Sequence, residues 1–338
     1  MFRSFLKQHD AAAWQRTLDS LRPAIHEVDR DATQIWFHFF PLELAQAIAE
    51  TDDLAQLAVT LRLEGNFRLA DQVDSSHWFL YGHAYWPSVK AVIIERAESL
   101  AAPASLELGA LIREVAGDAL RRGRETKNSP ASVDLLIGIS AVGLMTLQQT
   151  GLEAFRANHG PAKAGHYLQN KSPEQIMAAR KKNDGQGLVG IFRGIRSQFT
   201  VTFDERRRDA RFTVINQQHL TTASANDKRD YSDNAAAEAG HSRGTSEGPI
   251  PAQCRTASCG TCWVGILGGN DHLSEVDAHE KKRMKEFGYI NTSDPKPVIR
   301  LACQSIASGN VTIVIPPWNG FIGKRKGSRE TSAAPQPR

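Results

Sequence analysis

All four cysteines of the 338-residue chain lie in its last third: Cys254, Cys259, Cys262 and Cys303. Three share one short segment, PIPAQCRTASCGTCW (residues 249–263), with the spacing C-x4-C-x2-C. Forty residues separate Cys262 from the fourth thiol, in RLACQ. The N-terminus, MFRSFLKQHDAAAWQ, is charged at Arg3, Lys7 and Asp10 and lacks the apolar core and cleavage site of a secretory signal. Without such a signal, clustered thiols point to metal or redox chemistry rather than disulfides. Three thiolates on one tight loop wrap a small centre, and small residues between them let backbone N–H groups point at its sulfurs. Ser258, Gly260 and Thr261 are the small or turn-tolerant residues needed. Arg255 follows the first thiol directly, and its charge favours a more negative, reduced centre.

The spacing is that of a plant-type [2Fe–2S] centre. A structural zinc site is the main alternative, but zinc ribbons pair two C-x2-C knuckles, and here a lone Cys303 stands in place of the second. Inert or disulfide-bonded cysteines are the remaining alternative. At these residues the chain resembles the [2Fe–2S] ferredoxin family, over roughly residues 198–320. Phe199–Phe203 and Arg211–Ile215 resemble the family's opening hairpin, IPAQCRTASCGTCWVGIL its cluster loop and next strand, and VIRLACQSIASGNVTIVIP its fourth-ligand segment and last strand. The resemblance implies that Cys254, Cys259, Cys262 and Cys303 ligate the cluster and that the fold is a β-grasp. It also implies one-electron transfer at low potential with a redox partner protein (a reductase or a terminal oxidoreductase) and no catalytic residues of its own. Alternatives are an iron–sulfur component of a multi-subunit oxidoreductase, or a redox sensor using the N-terminal domain as effector. Two departures stand out. Of the family's leucine-bearing first helix only AAAEA (Ala235 to Ala239) remains, and a charged helix, SEVDAHEKKRMKEF, capped by Ser274 and Asp277, lengthens the path to Cys303. Many family members are acidic on the partner face, whereas this domain is net basic.

The elements that must position these thiols read as an α+β chain. Residues 1–170 show a 3.6-residue period and are expected to form an all-α domain of about six to eight helices. Asp31 is expected to cap ATQIWFHFF, Pro41 to open ELAQAIAE, Pro87 to start SVKAVIIERAESL, and Ser129-Pro130 to open a long segment ending near Phe155. Residues 171–197 read as a helical, basic linker opened by the capping box Ser172-Pro173-Glu174-Gln175. Its stripe Leu188, Ile191, Phe192 and Ile195 could lie on a membrane surface, but it is short enough that packing onto a domain is preferred. Residues 198–322 form the ferredoxin-like domain. It opens with a β-hairpin, alternating Phe199, Val201 and Phe203 and then Phe212 and Val214, and carries a polar insertion at 221–249. Residues 323–338 read as a disordered tail.

Several function classes are excluded. The N-terminal part to Arg196 holds equal numbers of cations and anions, so the net +4 lies C-terminal and is too scattered for a nucleic-acid footprint. The longest apolar stretch, Leu135 to Thr146, is too short to cross a bilayer core of about 30 Å as a helix. A soluble, cytoplasmic protein is expected. Arg229-Asp230-Tyr231-Ser232 matches a flavin motif but lacks room for the domains that motif needs. HWFLYGHAYW (residues 77–86) could stack on a cofactor; core packing is preferred, since His77 and His83 are six apart and would not share a helix face. His38 reads as a core histidine, and His159 and His166 stay unassigned.

Overall fold

A computed structural model describes residues 2–53, 56–57, 76–99, 107–123, 132–157, 171–182, 198–227, 248–286 and 294–316. They fall into two compact units. One holds the described residues of 1–54 and 68–182 with 204–207; the other holds those of 55–67, 183–203 and 208–316.

Among its described residues the first unit contains nine α-helices: α1 (Phe2–Lys7), α2 (Ala11–Leu21), α3 (Glu27–Phe39), α4 (Leu42–Glu50), α5 (Trp86–Glu98), α6 (Leu108–Gly123), α7 (Asp134–Thr150), α8 (Leu152–Ala157) and α9 (Pro173–Lys181). The long apolar stretch is the middle of α7, and every residue from Leu135 to Leu147 is buried. Helices α3, α5 and α6 pack around it. Such burial on all faces explains why this helix is apolar all round rather than striped. Gly143 lets α5 approach: a Cβ there would lie 2.6 Å from Ile93 Cδ1 and 2.9 Å from Trp86 Cζ3. Gly151, at φ 84°, ends α7 and separates it from α8, so the long segment ending near Phe155 is made of two helices.

One further expectation differs from what folds. Helix α3 begins at Glu27, not after Asp31, because His26 Nδ1 accepts the Val28 N–H, and Asp31 instead pairs with Arg22 at 2.8 Å. His77 and His83 share no helix face; two short 3₁₀ turns (Ser76–Trp78 and Tyr81–Tyr85) set their ring centroids 5.8 Å apart. The Asp29 carboxylate holds the second turn by accepting the Tyr81 and Gly82 N–H groups at 2.6 and 2.7 Å. The Ser172 capping box is present at α9. Ser129-Pro130, His159, His166 and the Leu188–Ile195 stripe lie outside the described residues.

The second unit is built on a five-stranded mixed sheet. Its strands are β1 (Gln198–Thr202), β2 (Arg211–Ile215), β4 (Trp263–Gly268), β5 (Ile299–Leu301) and β7 (Val311–Val314), in the order β2-β1-β7-β4-β5. β1 and β2 form the antiparallel hairpin, β1 runs parallel to β7, and β4 pairs antiparallel with β7 and β5. Period-2 alternation buries Phe199, Val201, Phe212 and Val214. β3 (Gln218–His219) and β6 (Ile306–Ala307) make a second, two-stranded sheet. This topology is the β-grasp, and the chain is α+β. Residues 221–226, read from the sequence as the start of a polar loop, belong instead to helix α10 (Leu220–Asn226), with Leu220, Thr221, Ala223 and Ser224 buried. AAAEA and the flavin-like Arg229–Ser232 lie outside the described residues.

Candidate metal centre

Two kinds of structure bring the four thiols together. Cys262 immediately precedes β4 and Cys303 follows β5, so the register Trp263↔Leu301 sets them across from each other, tightened by the Ala302 N–H to Cys262 O bond at 2.9 Å. Cys254 and Cys259 sit on an irregular loop. Its start is pinned by Ser224 of α10, whose Oγ accepts the Ile250 N–H at 2.9 Å. Its ends are drawn together by Thr261 Oγ1, which accepts the Gln253 N–H at 3.3 Å.

Inside the loop the backbone visits the left-handed region at Arg255 (φ 55°), Ala257 (φ 60°) and Gly260 (φ 66°). Alternation of this kind turns successive N–H groups to one side, as in an anion-binding nest. Here the Thr256 and Cys259 N–H groups donate to Cys254 Sγ at 3.4 and 3.3 Å. Cys259 Sγ lies 3.1 Å from Thr261 Oγ1, and the Gln304 side-chain N–H donates to Cys303 Sγ at 3.3 Å. Burial pushes the Cys254 thiol up, but hydrogen bonds from Ser258, from the Thr256 side chain and backbone, and from Cys259 outweigh it and hold it at about 6. Cys303 is brought to about 7 by the Cys262 thiol donating to it, against burial and with help from Gln304 and the Ala257 N–H. Cys262, the donor of that pair, is pushed well up by the same bond and by burial.

The thiols are thus matched two and two: Cys254 with Cys259, half-buried, and Cys262 with Cys303, buried. Among the described residues no three His, Cys, Asp or Glu side chains are grouped as ligands of one ion would be. Two thiolate pairs suit a two-iron centre, which takes two thiolates at each iron, better than one tetrahedral zinc. Of the other residues singled out by sequence, Ser258 and Thr261 face sulfurs through their side chains. Gly260 supplies a left-handed turn, and Arg255 contributes a left-handed backbone while its side chain is exposed.

Sequence reasoning missed the supports. Helix α11 (Ala278–Glu286) buries Glu280, which accepts Arg300 Nε at 3.0 Å, Arg300 Nη2 at 2.9 Å and the Leu301 N–H at 2.7 Å. Arg300 Nη1 also donates to Ser274 O at 2.8 Å, and both side chains of the pair are 0% exposed. On the same helix His279 Nε2 donates to Thr256 O at 3.0 Å. Asp277 caps α11 through the Glu280 N–H, whereas Ser274, expected to share that role, accepts the Ile306 N–H instead. Gln304, next to the fourth thiol, could have been found by its position; nothing in the sequence marks Glu280 as buried.

A β-grasp domain that gathers four thiols and turns N–H groups onto their sulfurs defines a [2Fe–2S] iron–sulfur protein. Residues 232–308 match the family model of the 2Fe-2S iron-sulfur cluster binding domain, and no family model matches the N-terminal region. Comparisons with curated proteins and with solved structures gave no match. No helix among the described residues is long and apolar enough to cross a membrane.

Proposed function

We propose that the chain is a one-electron carrier in which Cys254, Cys259, Cys262 and Cys303 ligate the [2Fe–2S] cluster, two at each iron. The observation that carries this is the two-by-two matching of thiols under donors aimed at sulfur. When bound, the cluster supplies storage for a single electron at low potential, about −400 mV for all-thiolate ligation. The chain's own residues hold charge and geometry. The Thr256, Cys259 and Ala257 N–H groups and the Ser258, Thr261 and Gln304 side chains stabilise negative sulfur. Fixed donors need little rearrangement between oxidation states, which suits rapid exchange with a reductase or a terminal oxidoreductase. A reducing compartment such as the cytoplasm suits four free thiols. No residue of the site is assigned to bond-breaking chemistry. Residues 198–322 are read as the functional domain, and 171–197, which opens with α9 of the helical unit, as the link to it.

Iron and sulfide analysis of the purified full-length chain tests this, with two of each expected together with visible charge-transfer absorption. Each single Cys→Ser variant at the four positions should bleach or strongly destabilise the centre, because a harder oxygen replaces a thiolate. Stoichiometric zinc without charge-transfer absorption would overturn the reading.

A further inference from the structure

Electron exchange between proteins falls off steeply with distance, so a partner must dock where the thiols come nearest to solvent. Cys254 and Cys259 are half-buried, whereas Cys262 and Cys303 are buried, which selects the edge around residues 253–259. Its exposed residues are Gln253, Arg255 and Thr256. Helix α11 extends that edge, because His279 is exposed and bonded to Thr256 O. Lys282 follows one turn later and Lys285 a turn beyond; both are exposed, on the side of the helix away from buried Glu280 and Met284.

The charge of this edge is positive. Arg283 and, at 4.0 Å, Lys282 both pair with Glu286, and Arg300 neutralises Glu280. One carboxylate cannot cancel both Lys282 and Arg283, so that group keeps a net positive charge, and it adds to Arg255, Lys281 and Lys285 against Glu275 and Asp277, of which Asp277 is engaged at the helix cap. The helix is also held rigidly to both halves of the ligand set, by His279 to the Cys254 loop and by Glu280 to the strand leading into Cys303. Its lysines therefore keep a fixed place beside the half-buried thiols.

We propose that this basic edge, Arg255 with Lys282 and Lys285 of α11, is the docking surface for an acidic face of the redox partner. The proposal rests on the electron-carrier reading and adds the partner's chemistry, with a polarity opposite to that of the many acidic carriers the domain resembles. Opposite charge at the port steers encounter and sets orientation, and like charge repels wrong partners.

Small charged oxidants read the sign of the field at the port directly. The full-length, cluster-loaded chain is reduced and then mixed in stopped flow with hexacyanoferrate(III), an anion, or hexaamminecobalt(III), a cation. In each case one electron leaves the protein and reduces one metal complex. The rate with the anion should fall as salt is added and that with the cation should rise. Lys282→Glu with Lys285→Glu should slow the anion by about threefold to tenfold at low salt and speed the cation, with the visible spectrum unchanged. Cation-favoured rates in the parent, or charge reversals that move neither rate, would overturn the docking surface alone. A chain that holds no cluster would overturn the carrier reading and this proposal with it.

Discussion

The buried Glu280–Arg300 pair makes the most demanding prediction. Its test is Glu280→Gln, which keeps size but removes charge. The carboxylate accepts three hydrogen bonds, two from the guanidinium and one from the Leu301 N–H. Glutamine keeps one acceptor oxygen and turns an NH₂ group toward a guanidinium that stays charged, with no exposed surface to draw water. Removing one partner of a buried pair costs about 3–5 kcal/mol, chiefly through the stranded charge. With a urea dependence of about 1–3 kcal/mol/M for a small domain, that moves the midpoint down by roughly 2 M. The readout is loss of visible cluster absorption in urea, because Arg300 lies on the strand that delivers Cys303. Desolvating both charges is itself expensive. The double variant Glu280→Leu with Arg300→Met, which removes both charges together, should therefore recover most of the loss. A single variant within about 0.5 kcal/mol of the parent, or a double variant costing the full sum, would refute the reasoning.

Three further outcomes are expected. Gln304→Leu removes a donor from Cys303 Sγ and should make the midpoint potential more negative at unchanged iron content, as potentiometric titration will show. Gly143→Ala places a methyl group against Ile93 and Trp86 and should destabilise the helical unit by about 1–3 kcal/mol in urea melts followed by far-UV circular dichroism. Burial pushes Asp29 up to about 7, against the N–H groups of Gly82 and Tyr81 and the Arg180 charge. The folded unit then holds a proton that the unfolded chain releases above its ordinary 3.8, so stability falls as pH rises from about 4 to about 7. Asp29→Asn should flatten that slope in urea melts run across the range.

What the sequence disclosed and what it hid divide along physical lines. The cysteine spacing was readable because a metal centre constrains residue type and separation directly. The hairpin was readable because a half-buried strand must alternate, as Phe199, Val201, Phe212 and Val214 do. Helix starts were less legible, since a cap is decided by which side chain reaches the free N–H groups. His26 reaches them at α3, while Asp31 turns to Arg22. Helix α10 was hidden for another reason: in LTTASAN it is Leu220 and Ala223, beside buried Thr221 and Ser224, that fill space next to β2, and small residues carry little periodic signal. Glu280 was hidden most thoroughly. In AHEKKRMKE it looks like one more solvated charge, and only the tertiary approach of Arg300 makes it a core residue.

The two thiol pairs are built by different means, and that difference says where each is vulnerable. Cys262 and Cys303 inherit their positions from the β4–β5 register, so whatever disturbs the sheet disturbs them. Cys254 and Cys259 depend on a loop that bends against the preference of its own residues. Arg255 and Ala257 both carry a Cβ into the left-handed region, at about 1–2 kcal/mol each, where glycine would do so freely, as Gly260 does. The conformation aims the Thr256 and Cys259 N–H groups at Cys254 Sγ. Hydrogen bonds of that kind are strong only when the sulfur is negative, as in a thiolate bound to metal. The strain is therefore intelligible as the cost of a preorganised cradle, recovered when a charged sulfur occupies it. Relieving it with glycine at residue 257 should stabilise the loop backbone without strengthening the site, because the freed loop would also gain other conformations to leave.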